Sequence, residues 1–220
     1  MSKGKERETA GHSRPRRRVE VALGQLREAL SGCNACGLGA GIRPIVSLAR
    51  APRAMLVGQA PGKVEAAGGR PFAGRAGKTL FAWFASVGLE EAVLRERMYI
   101  AAVTRCFPGP HPSGRGDRVP SPAERARCAP WLSRELEIIR PRLVIPVGRL
   151  AIDALLGPMP LDRAIGRAHP LDRSAIAVPL PHPSGASSWI HAPGHRALVA
   201  RALDLVREHW DAIHRRSRAA

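Results

Sequence analysis

The sequence contains no run of about 18 apolar residues, and it therefore predicts neither a membrane-spanning helix nor a membrane partner. The first residues contain no apolar stretch of the kind found in secretory signals, so we expect a cytoplasmic bacterial protein. Hydrophobic residues make up 45% of the 220 residues, which is enough to form the core of one globular domain.

Acidic residues are scarce, with 18 Asp and Glu against 35 Lys and Arg, and the net charge is +17. Residues 1–18 contribute seven basic and two acidic side chains, so the rest of the chain still carries +12. A nucleic acid is the simplest partner, because Lys and Arg displace counterions from phosphates. A GC-rich genome would raise the charge without any such partner, and this alternative stays open.

Cysteine is also rare, and stable disulfides are not expected in the cytoplasm. Cys33 and Cys36 form a close pair, whereas Cys106 and Cys128 follow singly. Four thiols are the usual ligands of a 4Fe-4S cluster and equally of a structural zinc ion. A zinc ribbon would normally show two close pairs, and four unrelated buried thiols are the third possibility.

Apolar runs alternate with helical patterns, which predicts a single three-layer α/β/α domain with a short, mostly parallel sheet of four strands. The predicted strands are 54–58, 99–103, 143–147 and 175–180. The predicted helices are 19–31, 78–87, 122–139, 149–157 and 195–209. The domain is expected to cover 19–214, between a disordered basic arm, 1–18, and a frayed basic tail, 215–220.

The tetrapeptide His-Pro-Ser-Gly occurs twice, at 111–114 and 182–185. Only the second copy follows a predicted strand. Sites in parallel sheets form beyond the carboxyl ends of the strands. The second copy is therefore the predicted functional one, and the first is interpreted as part of a loop.

A long glycine-rich loop, predicted over 59–77, follows the first strand. It opens with Gly58-Gln59-Ala60-Pro61-Gly62, where the backbone can approach a ligand and its N–H groups can bind a carbonyl or an anion. Phe72 lies between glycines further along, where an aromatic ring can stack on a flat ligand. The first segment alone would be interpreted as a plain turn.

These segments together resemble family 4 uracil-DNA glycosylases, whose first block reads Gly-Glu-Ala-Pro-Gly, an acidic pair and Gly-x-Pro-Phe-Val-Gly-x-Ala-Gly at the same spacing. Pro181-His182-Pro183-Ser184 resembles the second motif of that superfamily. The resemblance covers about residues 30–210. It implies a 4Fe-4S cluster, with zinc as the alternative, held by Cys33, Cys36, Cys106 and Cys128.

The resemblance implies a monomeric DNA repair enzyme at the nucleoid that flips uracil out of DNA and hydrolyses its N-glycosidic bond. Phe72 would stack on the uracil, and His182 would donate to the negative charge that develops on it. We find no lysine suited to Schiff-base chemistry, so the enzyme would be monofunctional. The predicted base-binding residues are Gly58, Gln59, Ala60, Pro61, Gly62, Phe72, Ala102 and His182.

The chain departs from family 4 at two places. Gln59 replaces the glutamate and cannot be a general base, so the predicted catalytic set is His182, Gln59 and Glu65, which is the remaining acid of the pair. A solvated loop acid is the alternative for Glu65. Ala102 stands where family 4 has an asparagine that reads uracil. Family 5 also lacks that asparagine and has broader base choice, so the resemblance implies activity on other deaminated bases.

The predicted DNA contacts lie after the second motif and on two basic loops. Trp189 is either a wedge that enters the DNA or a residue packed under the final helix. The loop over 110–115 is longer than in family 4, but it lacks the signature of a branch that traps DNA through a histidine. The predicted DNA-binding residues are Arg75, Arg118, Ser184, Gly185, Ser187, Ser188 and Trp189.

A second function is open beside catalysis. Gln59 and Ala102 are also consistent with an iron–sulfur protein that binds uracil-containing or damaged DNA without cleaving it. A redox protein is disfavoured, because no second cluster motif and no flavin motif is found.

Overall fold

The computed structural model describes residues 13–39, 41–114, 116–172, 174–184 and 188–215. Its strands are β1 Ala54–Gly58, β2 Met98–Ala102, β3 Leu143–Pro146, β4 His169–Pro170 and β5 Ile176–Ala177. Its helices are α1 Ser13–Ser31, α2 Lys63–Gly68, α3 Arg75–Ala85, α4 Glu91–Arg97, α5 Pro122–Ile139, α6 Arg149–Leu156, α7 Leu161–Ala164 and α8 His195–Arg215, with a short 3-10 helix at Ser188–His191. Within these residues no helix combines the length and the apolar character needed to cross a membrane.

The strands form one sheet in the order β2-β1-β3-β5-β4, in which only β4 is antiparallel to its neighbour. The α/β class and the mostly parallel sheet are confirmed, but four strands were too few. Strand β4 has only two residues, which is too short to produce a sequence pattern. The fourth predicted strand is also shorter than expected, although Val178 and Leu180 continue to donate hydrogen bonds to Val144 and Pro146.

Helices cover both faces of the sheet, which confirms the three layers. Alternate strand residues such as Leu56 and Ile145 pack with α3 and α8. Their neighbours Met55 and Val144 pack with α1 and α5 on the other face. All of these side chains are buried, as expected for central parallel strands with nearly continuous apolar sequences.

Both ends of the domain differ from the predicted boundaries. Helix α1 begins at Ser13, so residues 13–18 are helical and not part of a disordered arm. Pro15 lies in the first turn, where its missing N–H costs nothing. At the other end α8 includes Arg215, the first residue of the predicted tail. Residues 1–12 and 216–220 lie outside the described residues.

Helix α2 lies within the segment that was predicted to be a loop. Gly62 precedes the first turn, and its amide donates to the Glu65 carboxylate, which stabilises the start of the helix. The glycines on either side hid this short helix from sequence analysis. By contrast, α5 has the predicted bounds, because Ser121, Pro122 and Glu124 form a complete N-terminal capping arrangement.

Candidate active site

A cavity of about 510 Å³ lies at the carboxyl ends of β1, β2 and β3. Its walls come from the glycine-rich loop, from the end of β2, from the loop before α5 and from the segment after Leu180. Most of the predicted base-binding residues are thereby brought together. Those that line the cavity are Gln59, Ala60, Pro61, Gly62, Phe72, Ala102 and His182, together with Glu65, Arg75, Arg118 and Ser184.

The Phe72 ring packs directly against the end of β1. A Cβ atom at Gly58 would lie 2.9 Å from Phe72 Cζ and 3.1 Å from Cε2, so any larger residue would collide with the ring. Gly58 therefore supports the ring from behind and does not itself line the cavity. The backbone of Phe72 is left-handed, with φ of 50°, a conformation that is strained for an aromatic residue and is often found at functional sites.

Arg95 of helix α4 holds this strained segment in place. Its guanidinium donates to the carbonyl oxygens of Pro71 at 2.8 Å and Phe72 at 3.0 Å. It also lies over the Phe81 ring, 4.4 Å from the centroid, and pairs with Glu91 at 2.6 Å. Sequence analysis missed Arg95, because it lies 23 residues from Phe72 and in no motif.

Glu65 connects the two glycine-rich segments. Its Oε2 accepts from the Gly62 amide at 3.1 Å, and its Oε1 accepts from the Gly74 amide at 2.9 Å. Both oxygens therefore stabilise the loop that carries Phe72. This geometry supports a positioning role for Glu65, in contrast to the two alternatives derived from the sequence.

Gln59 and Ala102 lie side by side where β1 and β2 end. The register pairs Gly58 with Ala102, and the Gln59 carbonyl accepts from the Thr104 amide at 3.2 Å. The Ala102 side chain offers no hydrogen bond to a ligand. The cavity wall at β2 is therefore apolar at this point.

His182 contributes a neutral ring to the cavity. Its Nδ1 accepts from the Ser184 amide at 3.2 Å and lies 2.8 Å from Ser184 Oγ. Because an amide can only donate, Nδ1 carries no proton, and the neutral ring has its proton on Nε2. Burial lowers the pKa of His182, which keeps the ring neutral at pH 7. The ring also packs on Gly148, where a Cβ would lie 3.2 Å from it.

The first His-Pro-Ser-Gly copy has the same local geometry without the same surroundings. His111 Nδ1 lies 2.7 Å from Ser113 Oγ and accepts from the Ser113 amide at 3.1 Å. However, His111 is exposed and does not line the cavity. The two copies thus share a turn, and only the second is part of the candidate site.

The four cysteines surround a second cavity of about 360 Å³. Cys33 and Cys36 follow α1, Cys106 follows β2, and Cys128 lies in α5 and accepts from the Arg105 amide at 3.3 Å. Burial and the neighbouring Cys128 raise the pKa of Cys106 to about 12. All four thiols are free of disulfides.

The side chains that line this cavity are of a type that binds metal centres, because four thiolates are the usual donor set of a 4Fe-4S cluster and of a structural zinc ion. In the part of the chain that the structure describes, no group of three or more Cys, His, Asp or Glu side chains is arranged to hold a metal ion.

Comparison with known proteins agrees with this geometry. The profile of the Uracil DNA glycosylase superfamily matches residues 47–205. The chain belongs to this superfamily. The match extends from the segment before β1 to α8 and therefore includes the whole candidate active site.

Several Type-4 uracil-DNA glycosylases are similar to this superfamily member. The enzyme of Archaeoglobus fulgidus is 36% identical over 54% of the chain and 57% of its own length. That of Sulfurisphaera tokodaii is 28% identical over 85% and 84%, and that of Thermotoga maritima is 32% identical over 60% and 65%. The matched segment thus spans less than two thirds of two of these relatives.

The predicted DNA contacts of this glycosylase superfamily member differ in their surroundings. Arg75 is exposed at the cavity. Arg118 donates to both oxygens of Glu124, at 2.8 and 2.5 Å, and these bonds hold the pKa of Glu124 at about 2. Arg118 is therefore occupied by an internal ion pair. Gly185, Ser187 and the Ser188 side chain lie outside the described residues.

Trp189 is held by contacts within the fold. Its Nε1 donates to Asp162 Oδ1 at 2.6 Å, and its ring stacks on His195 at 4.0 Å. The indole also packs against the core cluster between the sheet and α8. Trp189 lies in the 3-10 helix that precedes α8, and its two predicted roles, a wedge that enters the DNA and a residue packed under the final helix, both stay predictions.

Proposed function

We propose that this protein is a uracil-DNA glycosylase that hydrolyses the N-glycosidic bond between uracil and deoxyribose in DNA. The observation that carries the proposal is the neutral His182 ring, protonated on Nε2, in a cavity that also contains Phe72. The cavity size is within the range of roughly 300–1,000 Å³ that is common for small-molecule sites.

In the proposed reaction the uracil nucleotide rotates out of the DNA stack into the cavity. Phe72 stacks on the uracil ring, and backbone groups of Gln59 to Gly62 bind its edge. As the bond from N1 to C1′ breaks, its electron pair moves to the uracil, and the Nε2–H of His182 donates to the oxygen that becomes negative. A water then adds to C1′ of the sugar. Glu65 and Arg95 act as positioning residues, because they hold the segment that carries Phe72.

Cys33, Cys36, Cys106 and Cys128 would hold a 4Fe-4S cluster, with zinc as the alternative. When bound, the cluster would supply a cross-link between the loop after α1, the loop after β2 and helix α5. The four thiols would be deprotonated as ligands, in place of the protonated form that burial favours for Cys106.

The range of bases is proposed to extend beyond uracil to other deaminated bases. The Ala102 side chain makes no hydrogen bond that a different base edge would leave unpaired, so discrimination at this position is weak. DNA is the proposed partner of a monomeric, nucleoid-associated enzyme, and the exposed Arg75, Lys63 and Lys78 are proposed phosphate contacts.

The proposal is tested by uracil release from DNA oligonucleotides under single-turnover conditions. The wild-type protein should release uracil, and His182→Ala should be slower by about 100- to 1,000-fold, because it loses the donor to the developing anion. His111→Ala is the matched control, since it removes the same ring from the same turn outside the cavity, and it should equal the wild type.

One result of this assay would contradict the proposed activity. DNA binding that is specific for uracil, without release of free base by the wild type, would overturn catalysis. It would instead support the second candidate, a non-catalytic DNA-binding protein. That candidate is favoured by one observation, namely that both oxygens of Glu65 are already engaged by backbone amides.

A further inference from the structure

Two carboxylates line the candidate active site, those of Glu65 and Asp117. Glu65 uses one oxygen for the Gly62 amide and the other for the Gly74 amide. Asp117 comes from the long loop between Cys106 and Cys128. No hydrogen bond or ion pair with another described residue occupies its carboxylate. Among the described residues, Asp117 is therefore the cavity carboxylate without a hydrogen-bond or ion-pair partner.

Backbone hydrogen bonds lie on both sides of Asp117. Pro110 and Asp117 form an antiparallel bridge, and the loop is closed by hydrogen bonds from His111 N to Gly116 O at 2.9 Å and from Arg118 N to Gly109 O at 3.0 Å. The Arg118 side chain is anchored on Glu124. Asp117 thus lies at the cavity on a loop that is held by hydrogen bonds, and a catalytic acid or base needs such support.

The Asp117 carboxylate lies beside the loop that is proposed to bind the base. A Cβ at Gly62 would be 2.7 Å from Asp117 Oδ2, so the absence of a side chain at Gly62 makes room for this oxygen. Asp117 is exposed, whereas Ile100, Val147 and most of His182 are buried further inside. A base that packs against these inner residues would leave its sugar at the opening of the cavity, close to Asp117.

We propose that Asp117 is the general base that activates the attacking water, an inference that rests on the proposed glycosylase function. The bond from C1′ to N1 breaks and its electron pair leaves with the uracil, after which the water oxygen forms the new bond to C1′. One water proton passes to the Asp117 carboxylate, and the other remains on the new C1′ hydroxyl. Gln59 cannot accept this proton, and Glu65 is engaged elsewhere.

The test measures single-turnover uracil release by Asp117→Asn and Asp117→Ala. Both should be slower than the wild type by about 100-fold or more, which is the usual contribution of a general base. Added formate should restore part of the rate of Asp117→Ala, because a small carboxylate can occupy the vacated space. Asp204→Asn is the matched control: it removes an exposed aspartate of α8 and should keep the wild-type rate with or without formate.

Each outcome bears on the proposal. Binding to DNA with a non-hydrolysable uracil nucleotide should be unchanged in the Asp117 variants, which separates loss of chemistry from loss of folding or affinity. Wild-type release with an undiminished rate in Asp117→Asn would overturn the role of Asp117 alone, and so would a slow Asp117→Ala that formate does not accelerate. Absence of release by the wild type would overturn the glycosylase function and this role with it.

Discussion

Gly58 and Gly148 each lie against an aromatic ring of the candidate site, and a Cβ would be 2.9 Å from the ring at Gly58 and 3.2 Å from it at Gly148. Gly58 lies behind Phe72, and Gly148 contacts His182 with φ of 86°, which a residue with a Cβ rarely adopts. The Phe72 and His182 rings, which are proposed to bind the uracil and to donate to it, therefore pack directly against backbone atoms. Their positions depend on strand ends and not on the flexible loops alone.

Substitution of Gly58 tests the contact between the Phe72 ring and the end of β1. Gly58→Ala should slow uracil release by about tenfold or more, because the new methyl group displaces the Phe72 ring. The crowding should lower the free energy of unfolding by about 1–3 kcal/mol, which is typical of overpacking. Gly68→Ala is the control, since a Cβ there meets nothing within 4 Å. Equal release rates for Gly58→Ala and the wild type would contradict a requirement for the packing of Phe72 against β1.

Residues inside motifs were predictable, and residues that act across the fold were not. Phe72 and His182 stand in recognisable segments, so their role could be expected before their surroundings were known. Asp117 lines the cavity only because the loop before α5 folds against it, and Arg95 contacts the segment that carries Phe72 only because α4 packs there. The sequence identified Glu65 as a candidate but could not indicate that two amides engage it.

The elements that were predicted well carry local signals. Helix α5 has a capping serine, a proline at its first turn and a glutamate that completes the cap, all within four residues. Helices α2 and α4 have six and seven residues, which is too short for a clear periodicity. Strand β4 depends on pairing with β5, a non-local contact. The missed elements thus owe their form to tertiary contacts.

Helix α4 acts on the active site through one side chain. Arg95→Ala should slow uracil release by about tenfold and leave the affinity for undamaged DNA unchanged, because only the segment with Phe72 loses its support. Arg95→Lys should recover little of the lost rate, since an ammonium group cannot donate to both carbonyl oxygens with the planar geometry of a guanidinium. Arg97→Ala, an exposed arginine of the same helix, is the control. Single-turnover rates and binding isotherms for undamaged DNA are compared between each variant and the wild type. A parallel loss of rate and of DNA affinity in Arg95→Ala would contradict this role of Arg95.

At the scale of the whole molecule the two cavities share a wall. Arg105 lines both of them, its guanidinium pairs with Glu135, and Glu135 accepts from the Tyr99 hydroxyl at 2.9 Å. This buried network joins β2 to α5 directly behind the active site. Cys128 lies in α5, Cys106 lies in the loop after β2, and Cys33 and Cys36 lie in the loop after α1, so a metal centre there would stabilise the β2 side of the site.

Loss of one cysteine therefore should act on stability more than on chemistry. Cys106→Ala should remove iron and acid-labile sulfide from the purified protein. It should also lower the free energy of unfolding by about 3–5 kcal/mol, as expected for a cross-link that closes long loops. Thr104→Ala, a buried residue of the same loop without a thiol, should retain the metal and lose far less stability than Cys106→Ala. Stoichiometric zinc without sulfide in the wild type would replace the cluster by zinc. A metal-free wild type with the stability of Cys106→Ala would show that the four thiols are only packed together.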